Sequence, residues 1–77
     1  MNKDDIIAFI EHNLSYTSKF LCGNVLVYYT QGYYIHVKAD DILIHNGGIF
    51  NGKYPKDTDN FINLLLSLGI RHGKSHI

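Results

Sequence analysis

Apolar residues near the start of the chain recur at helical spacing. These residues are Ile6, Ile7, Ile10 and Leu14. Side chains three or four positions apart lie on one face of an α-helix. Asp4 precedes them and can act as an N-cap, because its carboxylate accepts from the free N–H groups of the first turn. The pattern predicts an amphipathic helix over residues 4–14.

A second helical pattern lies near the end of the chain. Its apolar positions are Phe61, Ile62, Leu65, Leu66 and Leu68. Asp57 or Thr58 can cap its start. Gly69 is typical of a helix end, and Ile70 can fold back onto the last turn as in a Schellman-type cap. The residues after it, 71–77, form a short basic tail.

The segment between the helices is rich in β-branched and aromatic residues, which favours strands. One β-rich run begins near Phe20, weakens at Gly23-Asn24 and is strong over residues 25–29. A second run covers residues 33–38. These two runs are predicted to be the first two strands.

A third strand is predicted over residues 42–45, after a turn at residues 39–41. Continuing the register through this turn pairs Val37 with Ile42 and Ile35 with Ile44. Asn46-Gly47 follows, the dipeptide most typical of a two-residue hairpin turn, because it supplies two positive φ angles. This hairpin would add a short fourth strand, and residues 51–56 are predicted to form a loop.

The pairing of the first two strands depends on the length of the loop between them. A three-residue loop over residues 30–32 pairs Tyr29 with Tyr33 and Val27 with Ile35, and so gathers the apolar residues on one face. A two-residue loop at Gln31-Gly32 shifts the pairing by one residue and mixes the two faces. The burial pattern favours the three-residue loop.

The element order is therefore α-β-β-β(-β)-α, which defines an α+β fold. Two amphipathic helices have one place to bury their apolar stripes, the apolar face of a three- to four-stranded antiparallel sheet. We expect a single domain over residues 1–70, with both helices packed on one face of the sheet.

The opposite sheet face becomes the candidate site. Its predicted residues are Leu26, Tyr28, Tyr34, His36, Lys38, Leu43, His45 and Phe50. This set is unusually apolar and aromatic for a solvated face, and aromatic residues are enriched at the energetic centres of interfaces. Tyr28 opposite Tyr34 can also be read as a cross-strand pair that only stabilises the sheet.

Charge and cysteine content narrow the protein class. Seven Lys and Arg residues balance seven Asp and Glu residues. The net charge therefore indicates neither a basic nucleic-acid-binding module nor an acidic protein that mimics DNA. The single cysteine, Cys22, excludes an internal disulfide, and we expect a cytoplasmic location and a buried, unreactive thiol. The sequence contains no signal peptide pattern and no apolar run long enough to span a membrane.

Catalytic chemistry is not indicated. None of the five histidines has a Ser or Cys nucleophile in a recognisable motif, and the carboxylates lie at helix starts and turns, where capping explains them. His36 and His45 are near neighbours in the predicted sheet, but two imidazoles without a third ligand make a weak metal site. We expect no enzyme activity, no metal and no cofactor, and a pH-dependent interface at this pair.

The composition favours a protein partner or a second copy of the chain, bound through the aromatic face. The alternative is a nucleic-acid-binding domain, in which Tyr28 and Tyr34 stack on bases. Its phosphate contacts would come from Lys53, Lys56, Arg71 and Lys74.

The order α-β-β-β-α is similar to that of the double-stranded-RNA-binding domain. Asp57-Thr58-Asp59-Asn60 stands where that family has a basic cluster, so acids replace the cations that phosphates need. In size and element order the chain also resembles small phage-encoded inhibitors such as anti-CRISPR proteins. That resemblance implies a non-enzymatic inhibitor of a host protein.

Overall fold

A computed structural model describes residues 2–46, 49–55 and 61–71. The side chains of residues 49–51 and 53–55 lie outside the described part. The elements are α1 (Lys3–Asn13), β1 (Ser18–Cys22), β2 (Val25–Thr30), β3 (Tyr33–Val37), β4 (Asp41–Asn46), β5 (Ile49–Pro55) and α2 (Phe61–Ser67).

Helix α1 begins one residue earlier than predicted, because Asn2 and not Asp4 is its N-cap. The Asn2 side chain accepts a hydrogen bond from the backbone N–H of Asp5 at 2.8 Å, and the Ile6 N–H donates to the Asn2 carbonyl at 3.0 Å. Asp4 and Asp5 then lie in the first turn, where their negative charges interact favourably with the positive end of the helix dipole.

The five strands form one antiparallel sheet in the order β1-β2-β3-β4-β5. The α+β class and the order of helix, antiparallel strands and helix are as predicted. The sheet has one strand more than expected, because the run from Phe20 to Tyr29 is interrupted by a turn at Gly23–Asn24. Gly23 has a φ of 64°, which reverses the chain and makes β1 and β2 a hairpin.

The register between β2 and β3 differs by one residue from the prediction. Tyr28 pairs with Ile35 and Tyr29 pairs with Tyr34, so the connecting loop is the two-residue Gln31–Gly32. Both of these residues have positive φ, at 51° and 87°, which is the signature of a type I′ turn. The burial argument failed because residues 25–29 are apolar or aromatic on both faces.

The other two hairpins agree with the sequence prediction more closely. Val37 pairs with Ile42 and Ile35 pairs with Ile44, as predicted. The β4–β5 hairpin also forms, and its turn residues 47–48 lie outside the described part. Strand β5 continues to Pro55. The prediction of a loop over residues 51–56 is therefore wrong for residues 51–55.

Both helices pack on the same face of the sheet, the inner face, as predicted. The buried core cluster consists of Ile6, Ile10, Leu14, Tyr28, Ile35, Val37, Ile42, Ile44, Phe61, Leu65 and Ile70. The rings of Phe9 in α1 and Phe61 in α2 meet edge to face, with 5.9 Å between their centroids. The core is therefore a single layer between the sheet and the two helices.

Helix α2 ends in the predicted Schellman cap. The Ile70 N–H donates to the Leu65 carbonyl at 2.9 Å and the Gly69 N–H to the Leu66 carbonyl at 3.0 Å. Gly69 has a φ of 81°, and Ile70 is fully buried. The predicted caps at the start of α2, Asp57 and Thr58, lie outside the described residues. Within the described part of the chain, no helix is long and apolar enough to cross a membrane.

Candidate functional site

The candidate site is the outer face of the sheet, opposite both helices. Every residue of the core cluster that lies on the sheet comes from the inner face, so the described helices leave the outer face open. Directly paired residues in an antiparallel sheet share a face. Tyr29, Tyr34 and His45 therefore form one line across the outer face, and Phe20, Val27, His36 and Leu43 form the next.

The observed register moves two of the predicted site residues to the inner face. Tyr28 is fully buried, and Leu26 is partly buried against the core cluster, so their placement on the outer face is wrong. A shift of one residue in a strand exchanges its two faces. Tyr29 and Val27 take the places predicted for Tyr28 and Leu26.

Four predicted residues lie together on the outer face as expected. Tyr34 pairs with His45 and His36 pairs with Leu43, and all four are half-buried. Phe50 is aligned with His45 in the β4–β5 ladder, but its side chain lies outside the described part.

The aromatic rings of the outer face touch one another in a continuous line. Tyr29 and Tyr34 have centroids 4.6 Å apart, Tyr34 stacks on His45 at 5.0 Å with an interplanar angle of 18°, and His45 lies 4.9 Å from His36. We call these four residues the aromatic row. The row is therefore a contiguous surface of four rings.

The two imidazoles at the end of the aromatic row are in direct contact. The Nε2 atoms of His36 and His45 lie 2.8 Å apart, which is hydrogen-bond distance and requires one nitrogen to donate and the other to accept. Burial lowers the pKa of His36, with smaller contributions from His45 and Lys38. His36 is therefore neutral at pH 7.

Sequence reasoning missed an apolar layer beside the aromatic row. Val27 is fully buried although it is not part of the core cluster, and its paired neighbours are Phe20 and His36. The Phe20 side chain is 46% exposed. The two-residue loop at Gln31–Gly32 was the signal that would have placed Val27 and Tyr29 on this face.

Tyr28 has a structural role on the inner face. Its hydroxyl donates to Glu11 Oε2 at 2.6 Å, and its ring meets the Tyr16 ring at 5.0 Å between centroids. Burial, and then the bond to Glu11, raises the pKa of Tyr28. A buried tyrosine usually finds a hydrogen-bond partner for its hydroxyl, and here Glu11 of α1 supplies it.

Lys38 follows β3 and is close enough to His36, at the end of the aromatic row, to affect its pKa. It lines a hollow of about 330 Å³ at the β3–β4 turn. The other residues lining this hollow are Lys3, Asn24, Val25, Ala39, Asp40 and Asp41. The hollow therefore carries both signs of charge.

Cys22 is exposed at the end of edge strand β1, so the prediction of a buried thiol is wrong. The prediction assumed one continuous strand through Cys22, whereas the turn at Gly23–Asn24 brings it to the sheet edge. Among the residues that the structure describes, no group of three or more His, Cys, Asp or Glu side chains is arranged to hold a metal ion.

Comparison with known proteins gives no match: no family model, no curated protein and no solved structure is similar to this chain. The function therefore has to be argued from the residues of the outer face.

Proposed function

We propose that the protein is a small non-enzymatic interaction module that binds a protein partner through the aromatic row and the adjoining Phe20. The observation that supports this proposal is the open face itself. Four contacting rings and an apolar layer lie on the side of the sheet that neither described helix covers. Rigid aromatic surfaces give large contact area at low entropic cost.

The arrangement of the rings favours a protein over single-stranded nucleic acid. Stacking on bases requires free ring faces, whereas Tyr34 has His45 stacked on one of its faces. Phosphate contacts require free cations. Lys19, the lysine of β1, donates to Glu11 at 2.8 Å, and the seven Lys and Arg residues of the chain are balanced by seven Asp and Glu residues.

A protein that binds without catalysis can inhibit its partner by covering the surface that the partner uses for its own function. This is the mode of action implied by the resemblance to small phage-encoded inhibitors, and the inhibitor role is part of the proposal. A second copy of the chain is the other protein occupant that the face would accept, because a chain of this size buries only about 60–65% of its unfolded surface.

The first experiment separates a second copy from a different partner. Light scattering coupled to size-exclusion chromatography, over a wide concentration range, reports the mass of the purified chain. A dimer that Y34S converts to a monomer would assign the aromatic row to self-association. A monomer at every concentration leaves the face open to another protein.

The second experiment tests the face directly. A photo-crosslinking phenylalanine analogue replaces Tyr34 in one variant and Asn63, an exposed residue of α2, in the matched control. Crosslinking in cells that contain the partner should give a protein adduct of defined mass from position 34 and none from position 63. Adducts from position 63 alone, or equally from both positions, would contradict the proposal.

The nucleic-acid alternative has its own signature. Fluorescence anisotropy with a single-stranded oligonucleotide should show no binding, because the chain has no excess of positive charge. Binding that weakens steeply between low and physiological salt, and that Y34S abolishes, would replace the proposed protein partner by nucleic acid.

A further inference from the structure

His36 and His45 place two ring nitrogens where one metal ion could reach both. They lie on adjacent strands and on the same face, and their Nε2 atoms are 2.8 Å apart. Tyr34 stacks on the His45 ring at 5.0 Å, and His36 has Val27 and Leu43 as its paired neighbours. Both Nε2 atoms are therefore within reach of one ion.

The distance between the nitrogens is closer to that of a right-angled chelate than to that of a tetrahedral one. Metal–imidazole bonds are about 2.0 Å long, so two nitrogens 2.8 Å apart subtend roughly 90° at the metal. A tetrahedral ion such as zinc needs a separation of about 3.3 Å at the same bond length. A right angle between neighbouring ligands belongs to square-planar and tetragonal ions, above all Cu²⁺ and Ni²⁺.

We propose that His36 and His45 form a two-histidine chelate for a tetragonal divalent ion, Cu²⁺ or Ni²⁺, with solvent in the remaining positions. The inference goes beyond the proposed function, because it concerns the isolated chain and needs no partner. It revises the expectation of no metal, which rested on ligand count alone.

Binding requires a change of ring orientation but not of strand position. In the hydrogen bond the two nitrogens point at each other, whereas in the chelate each ring turns by roughly 45° so that both lone pairs meet at the ion. Each imidazole then binds the ion through Nε2 and carries its proton on Nδ1.

Other groups nearby set the limits of the site. Tyr29 and Tyr34 face the pair from β2 and β3, and Lys38 follows β3. None of these is an ordinary ligand for a copper or nickel ion at neutral pH. The two imidazoles therefore carry the affinity.

The test is titration of the full-length chain with copper(II) chloride, followed by calorimetry and electron paramagnetic resonance. We expect one site with two equatorial nitrogens. H36Q and H45Q should each weaken it by at least tenfold, while H12Q, a matched change on the surface of α1, leaves it unchanged. The double variant H72Q/H76Q should also retain it, and its loss there would overturn the proposal by assigning the ion to the tail.

A second measurement needs no variant and so does not depend on folding. Nickel(II) added to the wild-type chain should broaden the imidazole NMR signals of His36 and His45 before those of the other three histidines, and zinc should bind more weakly than nickel. Broadening that begins at other histidines, or zinc binding at least as tight as nickel binding, would contradict the assignment.

Discussion

The carboxylate of Glu11 accepts hydrogen bonds from three side chains that belong to different segments. Tyr16 donates at 2.9 Å, Lys19 at 2.8 Å and Tyr28 at 2.6 Å. These bonds favour the charged carboxylate, and they lower the pKa of Glu11 from its ordinary 4.5 to about 2, with Lys19 as the largest cause and Tyr28 next. Glu11 thereby connects α1 to the first hairpin of the sheet.

This lowered pKa predicts a pH dependence of folding. A carboxyl group whose pKa is depressed in the folded state contributes stability that is fully present above pH 4.5 and is lost as the pH falls toward 2. The free energy of unfolding should therefore decline over that window. E11Q should be less stable at pH 7, and its difference from wild type should shrink on acidification. Urea unfolding at a series of pH values measures both, and a difference that stays constant with pH would contradict the prediction.

Removal of one hydroxyl tests the structural role of Tyr28. Y28F keeps the buried ring and deletes the donor to Glu11, which should lower the free energy of unfolding by about 1 kcal/mol. Y34F is the matched control, because the contacts described for Tyr34 involve its ring. Thermal unfolding compares the two variants. Equal stability of Y28F and wild type would show that the bond to Glu11 contributes nothing.

At the level of elements, the turn Gln31–Gly32 determines which residues reach the outer face. Gln31 has a φ of 51°, a conformation that costs a non-glycine residue roughly 1 kcal/mol. Its side-chain amide makes two hydrogen bonds with the backbone of Arg71. Nε2 donates to the Arg71 carbonyl at 2.7 Å, and Oε1 accepts from the Arg71 N–H at 2.9 Å. The chain after α2 thus offsets strain in the turn.

Two substitutions separate strain from hydrogen bonding in this turn. Q31A loses both amide bonds and keeps the strained φ, whereas Q31G loses the same bonds and relieves the strain. Both variants should be less stable than wild type, with Q31A lower than Q31G by about 1 kcal/mol. Chemical denaturation measures the order, and a Q31A variant as stable as Q31G would remove the argument from strain.

Backbone strain also predicts a loss of stability at the C-terminal cap of α2. Gly69 has a φ of 81°, and a Cβ at that position would meet no atom within 4 Å. G69A should therefore lose about 1–2 kcal/mol of stability through backbone strain alone. Circular dichroism on heating measures the loss. A cost near zero would show that the Schellman cap does not depend on glycine.

The elements that the sequence predicts best are those whose signal is local. Periodicity and the Gly69–Ile70 cap define α2, and regular alternation gives the β3–β4 register. The β2–β3 register could not be obtained in this way, because it depends on two non-local facts. Gln31 is stabilised at positive φ by Arg71, and Tyr28 tolerates the inner face because Glu11 accepts its hydroxyl. Two of the eight predicted site residues, Leu26 and Tyr28, changed face with that register, while Tyr34, His36, Leu43 and His45 were placed correctly.

For the whole molecule, the order of strands along the sheet is the order along the sequence. Each hairpin closes a short segment, whereas the contact between Phe9 and Phe61 joins the two ends of the described chain. Closing a short loop costs less conformational entropy than closing a long one. The structure therefore combines local hairpin pairing with contacts between distant segments, such as Phe9 with Phe61 and Gln31 with Arg71.

This topology has a consequence for how the chain folds. The hairpins are expected to assemble before the transition state, and the two helices to dock on the sheet after it. In stopped-flow measurements G32A, which strains the β2–β3 turn at a φ of 87°, should mainly slow refolding, while F61L should mainly speed unfolding, with a φ-value below about 0.3. A high φ-value at Phe61 would instead mean that the ends of the chain meet first and that the sheet forms around them.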